Sequence, residues 1–254
     1  MTQGLFDLTG RRVLITGSNG GLGLGIAGGL AALGARVILN GRDEAKLRAA
    51  ADGLRAAGLV VEEARFDVTV EPEVVAAVER LEADGPIDVL INNAGIQRRV
   101  RLDEIGLDVW DEVLRTNLTS AMLVSRQVAR AMIARGRGKV VNIGSVMSDL
   151  ARTTTGAYAA AKGGLKMLTK AMCADWGPLG LQVNAIGPGY FATDMTRPLM
   201  ENPEFNAWVT GRTPARRWGR PEELVGVAAF LSSSASDFVN GQILYVDGGV
   251  TAVL

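Results

Sequence analysis

Tyr158 and Lys162 stand one helical turn apart in Tyr-Ala-Ala-Ala-Lys, and Ser145 lies thirteen residues before the tyrosine. Such a trio can move a proton without histidine, which this chain lacks altogether. Histidine is the commonest general acid–base side chain, so another group must take that part. Free tyrosine titrates near pH ~10 and is a poor base at neutrality. A lysine at i+4 shares its helix face, and its side chain leans toward the helix N-terminus, hence toward the tyrosine. The ammonium is expected to favour the phenolate and lower the tyrosine pKa. A nearby serine hydroxyl suits a carbonyl or alkoxide oxygen. Taken alone, the pair reads as two exposed side chains on an ordinary helix, so the elements that position it decide its meaning.

Those elements alternate. Short apolar runs at Val13–Thr16, Ala35–Asn40, Val60–Asp67, Val89–Asn92, Val140–Ile143, Val183–Ile186 and Ile243–Val246 read as strands. Between them lie helical patterns: one after the glycine loop to about Leu33, then Glu44–Ala57, one opening near Pro72, about Val109–Arg135, and Ala157–Trp176. This rhythm predicts a single α/β domain over residues 1–254. Its core would be a doubly wound, Rossmann-type parallel sheet of about seven strands with helices on both faces. Gly187–Gly219, rich in Pro, Thr and Arg, breaks the rhythm just past a strand end. Ligands bind outside such strand ends, which makes this segment a candidate substrate lid.

The first strand runs into Thr16-Gly17-Ser18-Asn19-Gly20-Gly21-Leu22-Gly23. Gly17, Gly21 and Gly23 permit a tight turn and close approach to a pyrophosphate at a helix N-terminus. The second strand ends in Asn40-Gly41-Arg42 rather than in the acidic residue that holds ribose hydroxyls in NAD enzymes. Arg42 fits a 2′-phosphate, so the expected cofactor is NADP, with NAD as the alternative. Asp67, at the end of the third strand, is expected to accept from the adenine amino group or to cap a turn.

With these motifs assembled, the chain resembles the short-chain dehydrogenase/reductase family over nearly its whole length. The family's Thr-Gly-x-x-x-Gly-x-Gly falls on Thr16–Gly23, its Asn-Asn-Ala-Gly on Asn92–Gly95, and its Pro-Gly on Pro188-Gly189. Its catalytic asparagine, serine, tyrosine and lysine fall on Asn117, Ser145, Tyr158 and Lys162. The resemblance implies dinucleotide contacts at Gly17, Asn19, Gly21, Leu22 and Gly23, at Arg42, Asp67 and Val68, and at Asn93, Ala94 and Gly95. It implies further contacts from Tyr158, Lys162, Pro188, Gly189 and Thr193. It also implies that Asn117 positions a water joining Lys162 to solvent, and that the enzyme is a homotetramer. One departure is Asn19-Gly20, where NADP-using relatives often carry a basic residue. Leu39–Arg42, Asn92–Arg99 and Gly187–Thr193 are similar to the branch that interconverts D-gluconate and 5-keto-D-gluconate. That branch implies a sugar-acid substrate. Ser145 and Tyr158 would face its carbonyl, and Arg98, Arg99 and Arg152, all on loops at the expected rim, are the candidates for its carboxylate, with Arg99 the first choice. Two other readings stand beside this one: a reductase of another carbonyl, such as a 3-oxoacyl thioester or a different keto sugar acid, and a dinucleotide-binding regulator without catalysis.

Bulk properties agree. Basic and acidic residues number 27 each, so no nucleic-acid or polybasic membrane partner is expected. The single cysteine, Cys173, allows neither an internal disulfide nor a zinc cluster, and no catalytic metal is expected. Without a signal-like N-terminus or a long apolar span, the expected location is cytoplasmic. The apolar tail Val250–Leu254 is expected to be exposed and available for subunit contacts.

Overall fold

The computed structural model describes residues 4–253. Its seven strands are β1 (Arg12–Ile15), β2 (Arg36–Gly41), β3 (Val61–Arg65), β4 (Val89–Asn92), β5 (Gly138–Ile143), β6 (Leu181–Pro188) and β7 (Ile243–Val246). They form one sheet in the order β3-β2-β1-β4-β5-β6-β7, every pair parallel. The order reverses between β1 and β4, and that reversal opens a crevice at the carboxyl ends of the strands.

Alternation along each strand builds both faces of the core. Val13 and Ile15 of β1 point into one apolar layer with α1 (Gly21–Ala32), α2 (Glu44–Ala56) and α9 (Val225–Ser232). Leu14 points into the other, against α3 (Glu71–Ala83), α5 (Ser120–Ala134) and α6 (Gly156–Trp176). Burial on both faces explains why these strands are continuously apolar rather than alternating. The helix α9 falls in a stretch that the strand–helix rhythm left unassigned.

Three features differ from expectation. The helix expected at 109–135 is α4 (Leu107–Leu114), a wider π turn at Arg115–Thr119, and then α5. The 187–219 segment carries two short helices, α7 (Arg197–Met200) and α8 (Pro203–Arg212), pinned at its ends by a bridge between Phe191 and Gly219. In the C-terminal tail, Val250 is buried while Val253 is exposed, and Leu254 lies outside the described residues. The tail is therefore partly folded into the domain.

Candidate active site

The glycine loop is clamped by the end of β4. Thr16 Oγ1 accepts from Asn93 N at 3.0 Å and Ala94 N at 3.1 Å. Asn93 Nδ2 donates to the carbonyls of Thr16 at 2.9 Å and Gly17 at 2.8 Å. Gly17 has φ +60°, and a Cβ there would stand 2.8 Å from Ala94 Cα. A Cβ at Gly23 would stand 2.5 Å from Asn93 Nδ2 and 2.8 Å from the Gly17 carbonyl. These glycines are required by contact between loops, not by the turn alone. From the other side, Ser18 donates to Ile15 O at 2.7 Å and accepts from Asn40 N at 2.9 Å, while Asn40 Oδ1 takes the Gly17 N–H at 3.1 Å. Sequence reasoning missed Ser18 and Asn40 as loop anchors. Two polar residues at a strand end next to a glycine turn were the available signal.

Beside this loop lies a cleft of about 890 Å³. Asn19, Gly21, Leu22, Arg42, Asp67, Val68, Ala94, Gly95, Ser145, Tyr158, Lys162, Pro188, Gly189 and Thr193 line it, together with Gly17 and Asn93. Gly23 and Asn117 are not in its wall but brace it from behind, and Arg99 and Arg152 lie outside that wall. No side chain caps the N-terminus of α1, and nothing stands within 4 Å of where a Gly21 side chain would begin. Open backbone, uncapped amides and a cleft of this volume beside them fit a dinucleotide pyrophosphate.

At the β2 end, Arg42 is mostly exposed, with its guanidinium 3.7 Å from Asp67. Asp67 Oδ1 accepts from both Thr69 N (2.8 Å) and Thr69 Oγ1 (2.7 Å), as a turn aspartate does. Burial opposes its charge, but the Thr69 bonds and Arg42 outweigh that and hold its carboxyl below the usual range. Lys46, a second exposed cation, lines the same end of the cleft and was not anticipated.

The proton-handling trio converges from β5 and α6. Ser145 follows β5 and caps a single 3-10 turn, its Oγ accepting from Met147 N at 3.1 Å. Ser148 Oγ takes the Ser145 N–H at 3.3 Å and donates to the Lys162 carbonyl at 3.0 Å, tying the serine turn to α6. Val113, Ala157 and Ala161 pack where α4 meets α6, with Tyr158 and Ile96 against them. Lys162 is buried at 4% exposure. Its Nζ donates to the Ile143 carbonyl at 2.6 Å and lies 5.6 Å from the centre of the Tyr158 ring.

One electrostatic expectation needs correcting. Burial pushes the Tyr158 phenol up rather than down, with the Ser145 hydroxyl acting in the opposite sense. Burial also lowers Lys162 to about 8. Helical spacing did put the two on one face, but the ammonium hydrogen-bonds a carbonyl instead of the phenol oxygen. The protein's low polarity then penalises both charges.

Asn117 sits in the π turn at 1% exposure. Its Oδ1 accepts from Ile96 N at 2.7 Å and its Nδ2 donates to Ile96 O at 2.8 Å. Both polar groups of its side chain thus hold the loop after β4, where a Cβ at Gly95 would come within 2.7 Å of Oδ1. The side chain is thereby a strut between the π turn and that loop.

The rim arginines separate into two kinds. Arg98 forks onto Glu112 at 2.7 and 2.9 Å and is a surface ion pair. Arg152 lies over the Phe205 ring, 4.7 Å from its centre. Burial and the neighbouring charge of Arg152 lower Arg99, with Tyr190 acting in the opposite direction. The hydroxyl group of Tyr190, which follows Gly189, is buried without a hydrogen-bond partner. Thr193 is held by Thr196, its N–H donating to Thr196 Oγ1 at 2.9 Å. Among the described residues no group of histidine, cysteine and carboxylate side chains could hold a metal ion, and no helix is long and apolar enough to cross a membrane.

Comparison with known proteins gives this geometry a family. The family described as enoyl-(acyl carrier protein) reductase matches residues 17–251. The chain is 54% identical to gluconate 5-dehydrogenase from Gluconobacter oxydans (strain 621H), over 98% of each chain. It is 50% identical to 5-keto-D-gluconate 5-reductase from Escherichia coli (strain K12), over 97% of each. Among solved structures, gluconate 5-dehydrogenase from Burkholderia cenocepacia J2315, in complex with NADP and tartrate, superposes with a TM-score of 0.96 at 51% identity, covering 98% of both chains.

Proposed function

Because this chain belongs to the short-chain dehydrogenase/reductase family, we propose that it interconverts D-gluconate and 5-keto-D-gluconate with NADP as the hydride carrier. The observation that carries the substrate half is identity of 50–54%, over nearly whole chains, to two enzymes of that activity. The cofactor half is supported by Arg42 and Lys46 at the β2 end, with no carboxylate ending that strand, and by the relative solved with NADP.

Bound in the cleft, the dinucleotide gives or takes a hydride at the substrate carbon. In the reductive direction Tyr158 delivers a proton to the carbonyl oxygen as that carbon is reduced, and the phenol is then reprotonated. Ser145 Oγ, oriented by its 3-10 turn, hydrogen-bonds the same oxygen and stabilises its developing charge. Lys162, whose pKa is about 8, remains largely an ammonium at neutral pH and makes the transient phenolate less costly. Its bond to the Ile143 carbonyl fixes the ammonium beside the phenol. Asn117 keeps the loop after β4 in register with the catalytic helix. Gly17, Asn19, Gly21, Leu22, Gly23 and Asn93–Gly95 shape the pyrophosphate side. Asp67 and Val68 bound the adenine, and Pro188, Gly189 and Thr193 bound the nicotinamide end. Arg99 and Arg152 pair with the substrate carboxylate.

The same reading has one catalytic domain over 1–254, a lid at 187–219, a cytoplasmic location and a homotetramer. Exposed apolar side chains such as Met167 and Phe238 favour subunit contacts.

A spectrophotometric panel tests the proposal: NADPH and NADH, each with 5-keto-D-gluconate, other keto sugar acids and an acetoacetyl thioester. NADPH with 5-keto-D-gluconate is expected to be fastest. Arg42→Ser should weaken NADPH at least tenfold and leave NADH nearly unchanged, as loss of a charge-assisted phosphate contact predicts. Fastest turnover on the thioester would shift the reading to the runner-up reductase. Silence on every substrate would favour a dinucleotide-binding regulator.

A further inference from the structure

Beyond the cleft, three loops bring together groups that lack partners. The Tyr190 hydroxyl and Arg152 Nε are both buried with no hydrogen bond. Arg99 and Arg152 are neighbouring cations, and among the described residues neither has a carboxylate partner, whereas Arg98 beside them does. Arg99 is exposed to solvent, and two neighbouring cations beside an unpartnered phenol make this place receptive to an anion.

The ring of Tyr190 is fixed by the lid. It meets Phe205, Trp208 and Trp218 edge-on, with centres 6.0, 5.8 and 5.7 Å away. Trp218 Nε1 donates to Asn206 Oδ1 at 2.7 Å, which anchors this aromatic group to α8. Phe205 serves twice, packing against Tyr190 and lying beneath the Arg152 guanidinium. Tyr190 is one residue on from Gly189, which lines the cleft, and Arg152 lies between Ser145 and Tyr158, which also line it. The cluster therefore belongs to the same loops as the reaction centre.

We propose that Tyr190 is a specificity-determining residue whose hydroxyl joins Arg99 and Arg152 in gripping the substrate carboxylate, and that Phe205 of α8 holds this clamp in shape. The proposal rests on the sugar-acid reading and adds to it that the acid group is read by the lid. The two guanidinium groups supply charge, and the phenol supplies a directed hydrogen bond. A neutral polyol of the same length forgoes all three.

Calorimetric titration tests the clamp in the full chain. A Tyr158→Phe background prevents turnover, with NADP⁺ present. D-gluconate, tartrate and neutral D-glucitol are titrated into that background alone and with Tyr190→Phe, Arg152→Met or Phe205→Leu added. Tyr190→Phe and Arg152→Met are each expected to weaken gluconate about tenfold or more. Phe205→Leu should weaken it less, although it removes no polar atom, and Phe205→Tyr should restore it. Affinity for NADP⁺ and for glucitol should not move. Unchanged gluconate affinity in Tyr190→Phe overturns the clamp, as does an equal loss for gluconate and glucitol or a parallel loss of NADP⁺ affinity. Tartrate binding that depends on Tyr190 while gluconate fails to bind leaves the clamp standing and removes the gluconate reading. Failure of any carboxylate to bind overturns the clamp.

Discussion

The two ends of the site are built from opposite materials. At the β1–β4 end the decisive feature is missing side chains: Gly17, Gly23 and Gly95 sit where a Cβ would come within 3 Å of a neighbour. At the β5–β6 end the atoms to which the proposed mechanism and clamp assign roles are the tips of side chains: the hydroxyls of Ser145, Tyr158 and Tyr190, the ammonium of Lys162 and two guanidinium groups. A site made of backbone is broken by adding a methyl group, and a site made of side-chain tips is broken by removing one atom. The first has almost one solution in sequence, and the second has many. On the proposed reading, the first end can therefore serve many substrates and the second selects among them.

The largest expected effect comes from subtracting an atom at the second end. Tyr158→Phe removes one oxygen and should lower kcat/KM by ~10³-fold or more, within the range for losing a general acid. Dinucleotide affinity, measured by protein fluorescence, should fall far less than kcat/KM, because the glycine-loop contacts are untouched even where the phenol's own contact with the cofactor is lost. Loss of dinucleotide binding as well would mean that the two ends are one unit.

Adding atoms at the first end should give the complementary result. Gly17→Val places a β-branched side chain at φ +60° with its Cβ 2.8 Å from Ala94 Cα. The strained backbone and the displaced Asn93–Ala94 clamp should abolish dinucleotide binding and cost ~2–4 kcal/mol in urea unfolding. A variant as stable as the parent would show that the loop tolerates a methyl group and that the glycine serves only the ligand.

Much of this division was legible in the residues. The glycine loop and Asn92–Gly95 announced themselves because few residue types fit there, and the parallel sheet of seven strands followed from buried apolar runs separated by helices, although the order of those strands did not. The 187–219 segment was legible only as an interruption. Tyr190, Phe191, Phe205, Trp208 and Trp218 all fall within it, and that aromatic density in a segment otherwise rich in Pro, Thr and Arg was the signal of a packed insertion. The π turn was hidden because Leu114 and Leu118 keep an i, i+4 spacing across it, and a single wider turn shifts that pattern too little to see. Which acceptor Lys162 selects was also hidden. Spacing fixes a helix face, whereas the Ile143 carbonyl comes from a strand nineteen residues earlier.

Lys162 makes the second end unfavourable to stability in a way that pH exposes. Burial brings its ammonium to about 8 when folded, against 10.5 for an ordinary lysine. Between those values the unfolded chain binds more protons, so this group's contribution to stability rises with pH from 8 to 10.5 and falls away as pH drops through 8. At pH 7 burial of the charge costs on the order of 3 kcal/mol. Lys162→Met removes that cost but leaves the Ile143 carbonyl without its donor, worth ~1–3 kcal/mol. The two nearly cancel at pH 7. The pH trend does not cancel: the parent should gain stability on the inactive variant as pH rises from 8 to 10.5, read as the difference between their urea-unfolding profiles. A flat difference would place the lysine's titration outside that window and remove the electrostatic account of its role.

The smallest expected effect sharpens the comparison most, because it involves two adjacent residues of one type. Arg98 is satisfied by Glu112, and exposed pairs of this kind contribute about 0–1 kcal/mol. Arg98→Ala should therefore change KM for 5-keto-D-gluconate by no more than about twofold, and stability by less than about 1 kcal/mol. Arg99→Ala should raise that KM far more than the KM for a neutral ketone. The difference follows from which guanidinium already has its anion. Equal losses from the two variants, both erased by added salt, would mean that diffuse positive charge at the rim recruits the substrate. The side-chain end of the site would then select by charge density, without the directed contacts that set it apart from the backbone end.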